Sequence, residues 1–332
     1  MKLATLKDGS RDGRLLVVSR DLSRAIKAQS ARTMQQAVEN WTDCEAGLQA
    51  EYDKLNAGEL ADAFDFDPTS VMSPLPRTHQ FVDASAFLNH GNIMEEAYNL
   101  TVRKEKGIPI LVQRQSDDFY GPCDDYPFPT EADNCDFEGE VAVILDDVPM
   151  GTAPEQAEQH IKLFLLLNDV SMRTHLFREL SMGFGFINAK PATVFAPVAV
   201  TPDELGEAWA NGRVNLDLRV SRNGEWFGNP NGREMDFSFG ELISHLGYNR
   251  NLRAGTILAT GTFSNKGYRE VGSACLAERR AIEVIDSGES TTPFIQFGET
   301  LRFEMLDSND QSLFGSIEHR FVPVKQGAGE TA

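Results

Sequence analysis

Apolar positions along this chain recur with two different periods, and the places where the period changes divide it. Near the start the period is two. Residues 5–10 and the run Leu15, Leu16, Val17 and Val18 read as a hairpin turning at Asp8-Gly9, a dipeptide suited to a tight two-residue loop. From residue 33 to about residue 60 the spacing lengthens. Met34, Ala37, Val38, Trp41, Ala46, Leu48 and Leu55 recur at helical spacing, which predicts one helix there. Residues 71–76, with Pro74 and Pro76, interrupt both rhythms and read as a linker. Residues 1–75 are therefore expected as a small N-terminal domain, 76–325 as a larger mixed α/β domain, and 326–332 as a flexible tail. Within the larger unit, residues 84–103 around His90 are expected as helix and 108–113 as a strand. Residues 115–135 read as a long polar loop rich in Asp, Pro and Gly. A helix begins over 154–161, and an apolar run continues over 163–168. The C-terminal half reads as strands at 214–220, 256–262, 281–285, 300–305 and 315–321.

The strand-like run from Cys135 to Ile144 carries the most chemistry. It places Glu138 and Glu140 two residues apart, on one face of a strand. Taken alone, this pattern also fits an acidic, solvated edge strand. The apolar run Val141 to Leu145 that follows argues for burial. Two buried carboxylates repel each other, and a hard divalent cation with oxygen ligands removes that conflict. Asp169 ends the apolar run Phe164 to Leu167. It reads either as a turn or helix cap or as a third carboxylate for the same ion. His90 is followed closely by Gly91, Glu95 and Glu96; a lone histidine is commonly structural, but it is also the usual general base near neutral pH. Lys190 lies in an aromatic, glycine-rich segment that begins at Gly183, with apolar neighbours that favour its burial beside carboxylates. Gly261-Thr262 ends a strand, either as an ordinary turn or as short donors close to a ligand.

Composition narrows the choice of partners. The 332 residues are 41% hydrophobic and 24% charged, ordinary for a globular protein large enough for two folding units. A formal net charge of −19 opposes nucleic-acid binding, which needs basic surface. No apolar run approaches the roughly 20 residues that cross a bilayer, and the first residues lack the apolar core of a signal peptide. Cys44, Cys123, Cys135 and Cys275 are scattered without a CxxC pair, as expected of reduced thiols in a cytoplasmic protein.

Together these pieces resemble the fumarylacetoacetate hydrolase family, in its bacterial fumarylacetoacetase-like branch, over about residues 80–323. The spacing of Asp83 and His90 is similar to that of the family's metal-ligand Asp and catalytic His. Glu138-Gly139-Glu140 resembles its E-x-E metal pair. The run Asn168 to Arg173 resembles its N-D-x-S-x-R motif, Lys190 its active-site Lys, and Gly261-Thr262 its G-T turn. The resemblance implies an α+β catalytic domain of layered mixed β-sheets behind a small N-terminal domain. It implies a divalent cation, Mg²⁺ first with Mn²⁺ or Ca²⁺ as alternatives, on Asp83, Glu138, Glu140 and Asp169. His90 and Lys190 would be catalytic, and Arg173 and Thr262 would bind the substrate, a small oxo acid. The implied reaction is hydrolytic C–C cleavage of a β-diketone or acylpyruvate-type acid such as fumarylacetoacetate, in a homodimer. Alternatives are a metal-dependent decarboxylase, hydratase or isomerase of a 2-oxo acid, or a non-catalytic member that binds a small acid. Two positions depart from the family pattern. Leu176 stands where a Gln is expected. Direct alignment from Gly272 puts Leu276 where the carboxylate partner of His90 is expected, with Glu278 close by.

Overall fold

The computed structural model of the chain describes residues 1–100 and 105–325. Its centre is the antiparallel pair Gly139–Leu145 and Ile161–Asn168. Both are near-continuous apolar runs and both are buried on their two faces, the pattern of strands inside a layered domain. Alternation deals their side chains to two cores. Val141, Val143, Leu145, Phe164 and Leu166 join one, and Ala142, Ile144, Leu163, Leu165 and Leu167 join the other. Each such buried leucine or isoleucine contributes about 1.5–3 kcal/mol relative to exposure.

This pair lies inside an eleven-stranded sheet. Its order is Phe64–Asp65, Arg24–Lys27, Arg14–Val18, Lys2–Leu6, Ala199–Val200, Ile161–Asn168, Gly139–Leu145, Ile257–Ala259, Phe81–Ala84 and Leu111–Arg114, with Val194–Phe195 paired onto Ile161–Asn168. The N-terminal hairpin forms, Lys2–Leu6 against Arg14–Val18, but its connection runs over residues 7–13 and is not a two-residue turn at Asp8-Gly9. It then extends the same sheet through the pairing of Lys2 with Val200. A five-stranded sheet, Glu225–Gly228, Leu218–Arg222, Thr300–Met305, Ile317–Pro323 and Tyr126–Phe128, covers one face of the first. The other face is covered by helices Met34–Glu39 and Trp41–Asn56, through Met34, Val38, Trp41, Leu48 and Tyr52. The expected layered, mixed-sheet α+β architecture is what the chain forms.

Several boundaries differ from the sequence expectation. The single helix expected over 33–60 is broken at Asn40, whose φ of −121° ends one helix and starts the next. The segment expected as helix over 84–103 is a helix only from Leu88 to Tyr98, and its last three residues lie outside the described residues, as does the tail 326–332. The strand expected at 281–285 is wrong: these residues belong to helix Leu276–Ser287. Its β-branched residues suggested a strand, but Leu276, Glu278, Ala281 and Ile282 form one buried helical face. Gly288, at φ 85°, closes it.

Candidate active site

The acidic residues converge because neighbouring strands end together. Asp83 lies in register with Ala259 on one side and Val112 on the other, and Glu140 lies opposite Leu167. Asp169 immediately follows strand Ile161–Asn168. By alternation, Asp83 and Glu140 share the face of Phe81, Ala142 and Ile144, on the side of the N-terminal helices. Carboxylate oxygens of Asp83, Glu140 and Asp169 come within 4.8 Å of one another, all buried.

These three carboxylates are unequally satisfied. Asp169 accepts from Lys190 Nζ at 2.7 Å and from Thr193 Oγ1 at 3.2 Å, and it pairs with Arg114 Nη2. Glu140 Oε2 accepts the Gly261 N–H at 3.0 Å, while Glu140 Oε1 and Asp83 Oδ1 are buried without a hydrogen-bond partner among the described residues. Burial, then the charge of Asp169, pushes the Asp83 carboxyl up to about 7. Burial, then Asp83 and Asp169, raises that of Glu140 well above the carboxylate range. Unpartnered oxygens on crowded, buried carboxylates are the donor set of a hard divalent cation, so Asp83, Glu140 and Asp169 could hold one.

Glu138 stands outside that group of three. Its Oε2 accepts from Thr262 Oγ1 at 2.8 Å and lies 3.0 Å from Lys190 Nζ. Its Oε1 accepts from Ser171 Oγ at 3.0 Å and lies 2.6 Å from Arg173 Nη2. Burial alone would raise its pKa. Lys190, Arg173 and His90, with the Thr262 hydroxyl, outweigh burial and hold it well below the carboxylate range. Lys190 bridges Glu138 and Asp169. Burial opposes its charge, but those two carboxylates prevail and keep it protonated. Arg173 is braced from behind: its Nε donates to Asp136 Oδ2 at 2.8 Å. Asp136 also accepts the first free N–H groups of helix Leu276–Ser287, from Leu276 and Ala277.

His90 sits on helix Leu88–Tyr98, whose Leu88 N–H donates to Asp236 Oδ2 at 2.7 Å. A carboxylate partner, absent from the direct alignment, is present: His90 Nδ1 lies 2.9 Å from Oε2 of the fully buried Glu278. Direct alignment puts Leu276 in that role; Glu278 lies two positions further along the same helix, Leu276–Ser287, and so on a different face. Ile93 packs against Ala281 and Ile282 and fixes the two helices side by side. A carboxylate at Nδ1 favours the tautomer protonated there, leaving Nε2 to take up a proton.

All of this opens on a cavity of about 250 Å³, lined by Asp83, His90, Glu138, Arg173, Lys190, Gly261 and Thr262 and, beyond them, by Leu176 and other apolar side chains. Of the eight residues expected at the site from sequence, Glu140 and Asp169 lie behind this lining, and the other six face it. Sequence reasoning passed over Arg114 and Asp136, and named Glu278 only as close to the expected position of the His90 partner. Asp136 had a signal, since it continues the alternation Asp136, Glu138, Glu140. Arg114 had none, because nothing in a short strand-like segment marks its last residue as buried beside Asp169.

Comparison with known proteins agrees with this architecture. The model of the fumarylacetoacetate hydrolase C-terminal domain matches residues 81–322, and that of fumarylacetoacetase N-terminal domain 2 matches residues 1–77. The chain belongs to the fumarylacetoacetate hydrolase family. It is 27% identical over 157 residues to the 2,4-didehydro-3-deoxy-L-rhamnonate hydrolase of Sphingomonas sp. strain SKA58, covering 46% of this chain and 52% of that protein. It is 27% identical over 167 residues to a mitochondrial oxaloacetate tautomerase of Xenopus laevis, covering 49% of each. The aligned region thus spans about half the length of these curated relatives. Maleylpyruvate hydrolase from Sphingobium sp. SYK-6, solved in complex with manganese(II) ion and pyruvate, shares the fold. The TM-score is 0.66 at 17% identity, over 98% of this chain and 100% of that one. Among the described residues, no helix is long and apolar enough to cross a membrane.

Proposed function

We propose that this protein is a divalent-cation-dependent hydrolase that cleaves a C–C bond in an acylpyruvate-type 2,4-dioxo acid. The observation that carries the reading is the buried, under-satisfied carboxylate group Asp83, Glu140 and Asp169 beside a protonated Lys190 and a His90–Glu278 pair. Asp83, Glu140 and Asp169 would hold a divalent ion, Mg²⁺ or Mn²⁺, which when bound would supply Lewis-acid chemistry to the 2-oxo acid. Manganese and pyruvate in the maleylpyruvate hydrolase of like fold support this choice of ion and substrate head.

The chain's own residues then divide the work. Glu278 holds the imidazole by Nδ1, so that Nε2 of His90 takes a proton from water as that water attacks the distal carbonyl. Lys190, buried and charged, places positive potential where an oxyanion develops. Arg173, braced by Asp136, offers charge to the substrate carboxylate, and Thr262 is held at the wall by Glu138. Water adds across the bond, giving one carboxylic acid and pyruvate.

Tautomerisation or decarboxylation of a 2-oxo acid would use the same cation without an attacking water. The buried Glu278 behind His90 favours the hydrolytic reading, because it holds the imidazole by Nδ1 and leaves Nε2 to take a proton from water. The test is turnover of 2,4-dioxo acids by purified protein supplied with Mg²⁺ or Mn²⁺, with products identified by mass. His90→Ala is expected to lower hydrolytic kcat by roughly 10²–10⁴ while cation affinity by calorimetry holds. Near wild-type hydrolysis by this variant would rule out the base role.

A further inference from the structure

Charge and exposure change along the cavity in a consistent direction. At its inner end Asp83, Glu138, Lys190 and Thr262 are buried. Toward the mouth the wall is Met94, Ile110, Val112, Leu176, Leu180 and Phe186, with Ile110 37% and Leu180 56% exposed. Helix Arg173–Met182 runs along this gradient. Arg173, Leu176 and Leu180 are three and then four residues apart, so they share one face of the helix. At 1.5 Å of rise per residue, Leu180 lies about 10 Å further along the helix than Arg173.

The facing wall is held in place. Glu179 turns its carboxylate back to accept the N–H groups of Ile187, Asn188 and Ala189, at 2.8, 2.9 and 3.1 Å. That clamp fixes the segment carrying Phe186. Among the described lining residues, the permanent cations are Arg173 and Lys190. Both are at the inner end and both are already paired, with Asp136, Glu138 and Asp169.

We infer that this site selects substrates whose acyl tail is apolar, an alkyl or aryl 2,4-dioxo monoacid, over those whose tail ends in a second carboxylate. The proposal rests on the 2-oxo-acid reading of the inner end and adds what the outer end recognises. An apolar tail replaces water against Met94, Leu176, Leu180 and Phe186. A terminal carboxylate entering the same space is stripped of water and, among the described lining residues, meets no unpaired cation. The chain's net charge of −19 adds no compensating attraction.

The test is a ladder of 2,4-dioxo acids from 2,4-dioxopentanoate to 2,4-dioxononanoate, each compared with its ω-carboxylated counterpart, in the presence of Mn²⁺. We expect kcat/KM to rise about 4-fold per methylene until the wall is reached, and the ω-carboxylate to lower it at least 10-fold. Leu180→Arg, at a half-exposed helix position, is expected to raise kcat/KM for the diacids at least 10-fold. Diacids turned over as well as their alkyl counterparts would overturn the proposal. A second readout separates this failure from failure of the proposed reaction. Calorimetric binding of 2-oxooctanoate and 2-oxooctanedioate to the Mn²⁺-supplied protein should favour the monoacid at least 10-fold. That preference without C–C cleavage would sink the hydrolase reading and leave the tail preference standing. Cleavage of diacids with equal or better binding would do the reverse. Failure of both 2-oxo acids to bind would overturn the tail proposal as well.

Discussion

Glu138 and Glu140 are two residues apart and end in opposite electrostatic states. Both are buried, but Glu138 meets Lys190 and Arg173, while Glu140 meets Asp83 and Asp169. The burial was legible from the apolar run after the E-x-E pattern, but the single strand expected from Cys135 is two, Cys135–Asp136 and Gly139–Leu145, with Glu138 between them. The division of labour was not, because it depends on Lys190 and Arg173 arriving from distant segments. Glu140→Gln keeps the shape and removes one of three repelling charges. The stability of the cation-free variant is expected to hold or rise in urea titration. Its Mn²⁺ affinity by calorimetry should fall at least 10-fold, and unchanged affinity would remove Glu140 from the ligand set. Arg114 behaves in the opposite sense. It is almost fully buried, pairs with Asp169, and donates from Nη1 to the Lys190 carbonyl at 3.2 Å. Arg114→Met strips a buried carboxylate of a partner, and removing one member of such a pair costs about 3–5 kcal/mol. A urea midpoint equal to wild type would show that Lys190 and Thr193 suffice for Asp169.

Elements were read best where their period was long and regular. Strands Gly139–Leu145 and Thr300–Met305 follow directly from their hydrophobic pattern, whereas the apolar run that forms strand Ile161–Asn168 did not by itself separate strand from helix. Helix Leu276–Ser287 was misread because its cap is Cys275, whose sulfur accepts the Glu278 N–H at 3.4 Å, not one of the usual Ser, Thr, Asp or Asn signals. That misreading also left Glu278 only close to the expected partner position, since without the helix nothing turned its side chain toward His90. The turn after strand Ile257–Ala259 shows how tightly an element can be specified. Gly261 has φ 80°, and a Cβ there would sit 2.2 Å from the Ala84 carbonyl oxygen. Its N–H donates to Glu140 Oε2 at 3.0 Å, so the turn and the carboxylate group are built together. Gly261→Ala must either strain the backbone or push strand Phe81–Ala84 away. A loss of more than about 2 kcal/mol is expected in denaturant titration, with weakened divalent binding. A stable variant with wild-type cation affinity would show that the turn relaxes independently of the site.

On the scale of the whole molecule, the two sheets are joined at the site by a buried histidine. His319, on strand Ile317–Pro323 of the five-stranded sheet, packs its ring 4.7 Å from that of Phe321. Its Nε2 accepts from Asn168 Nδ2 at 3.2 Å, and Asn168 Oδ1 accepts the Glu138 N–H at 3.0 Å. Neutral His319 therefore props the residue that orients Glu138. The sequence could not show this, since strand alternation places His319 inward without saying what it meets. Burial lowers its pKa from 6.5 to about 3. Below pH 6.5 the unfolded chain takes up a proton that the folded chain refuses. The stabilisation from a neutral His319 is thus complete above about 6.5 and is lost progressively as pH falls toward 3. At somewhat over 1 kcal/mol per pH unit, the full loss is about 5 kcal/mol. Asp83 works against this slope in the cation-free protein. Its raised pKa makes its contribution complete below its ordinary 3.8 and lost as pH rises through about 7. The difference between two proteins cancels that opposing term. His319→Gln keeps an acceptor for Asn168 and removes the titration. Urea titrations of both proteins from pH 7.5 to 4 should show wild type losing stability faster on acidification, by up to one proton's worth of slope below pH 6.5. Parallel pH profiles would mean that His319 takes up its proton in the folded state, and that the two sheets are not held together by a neutral imidazole.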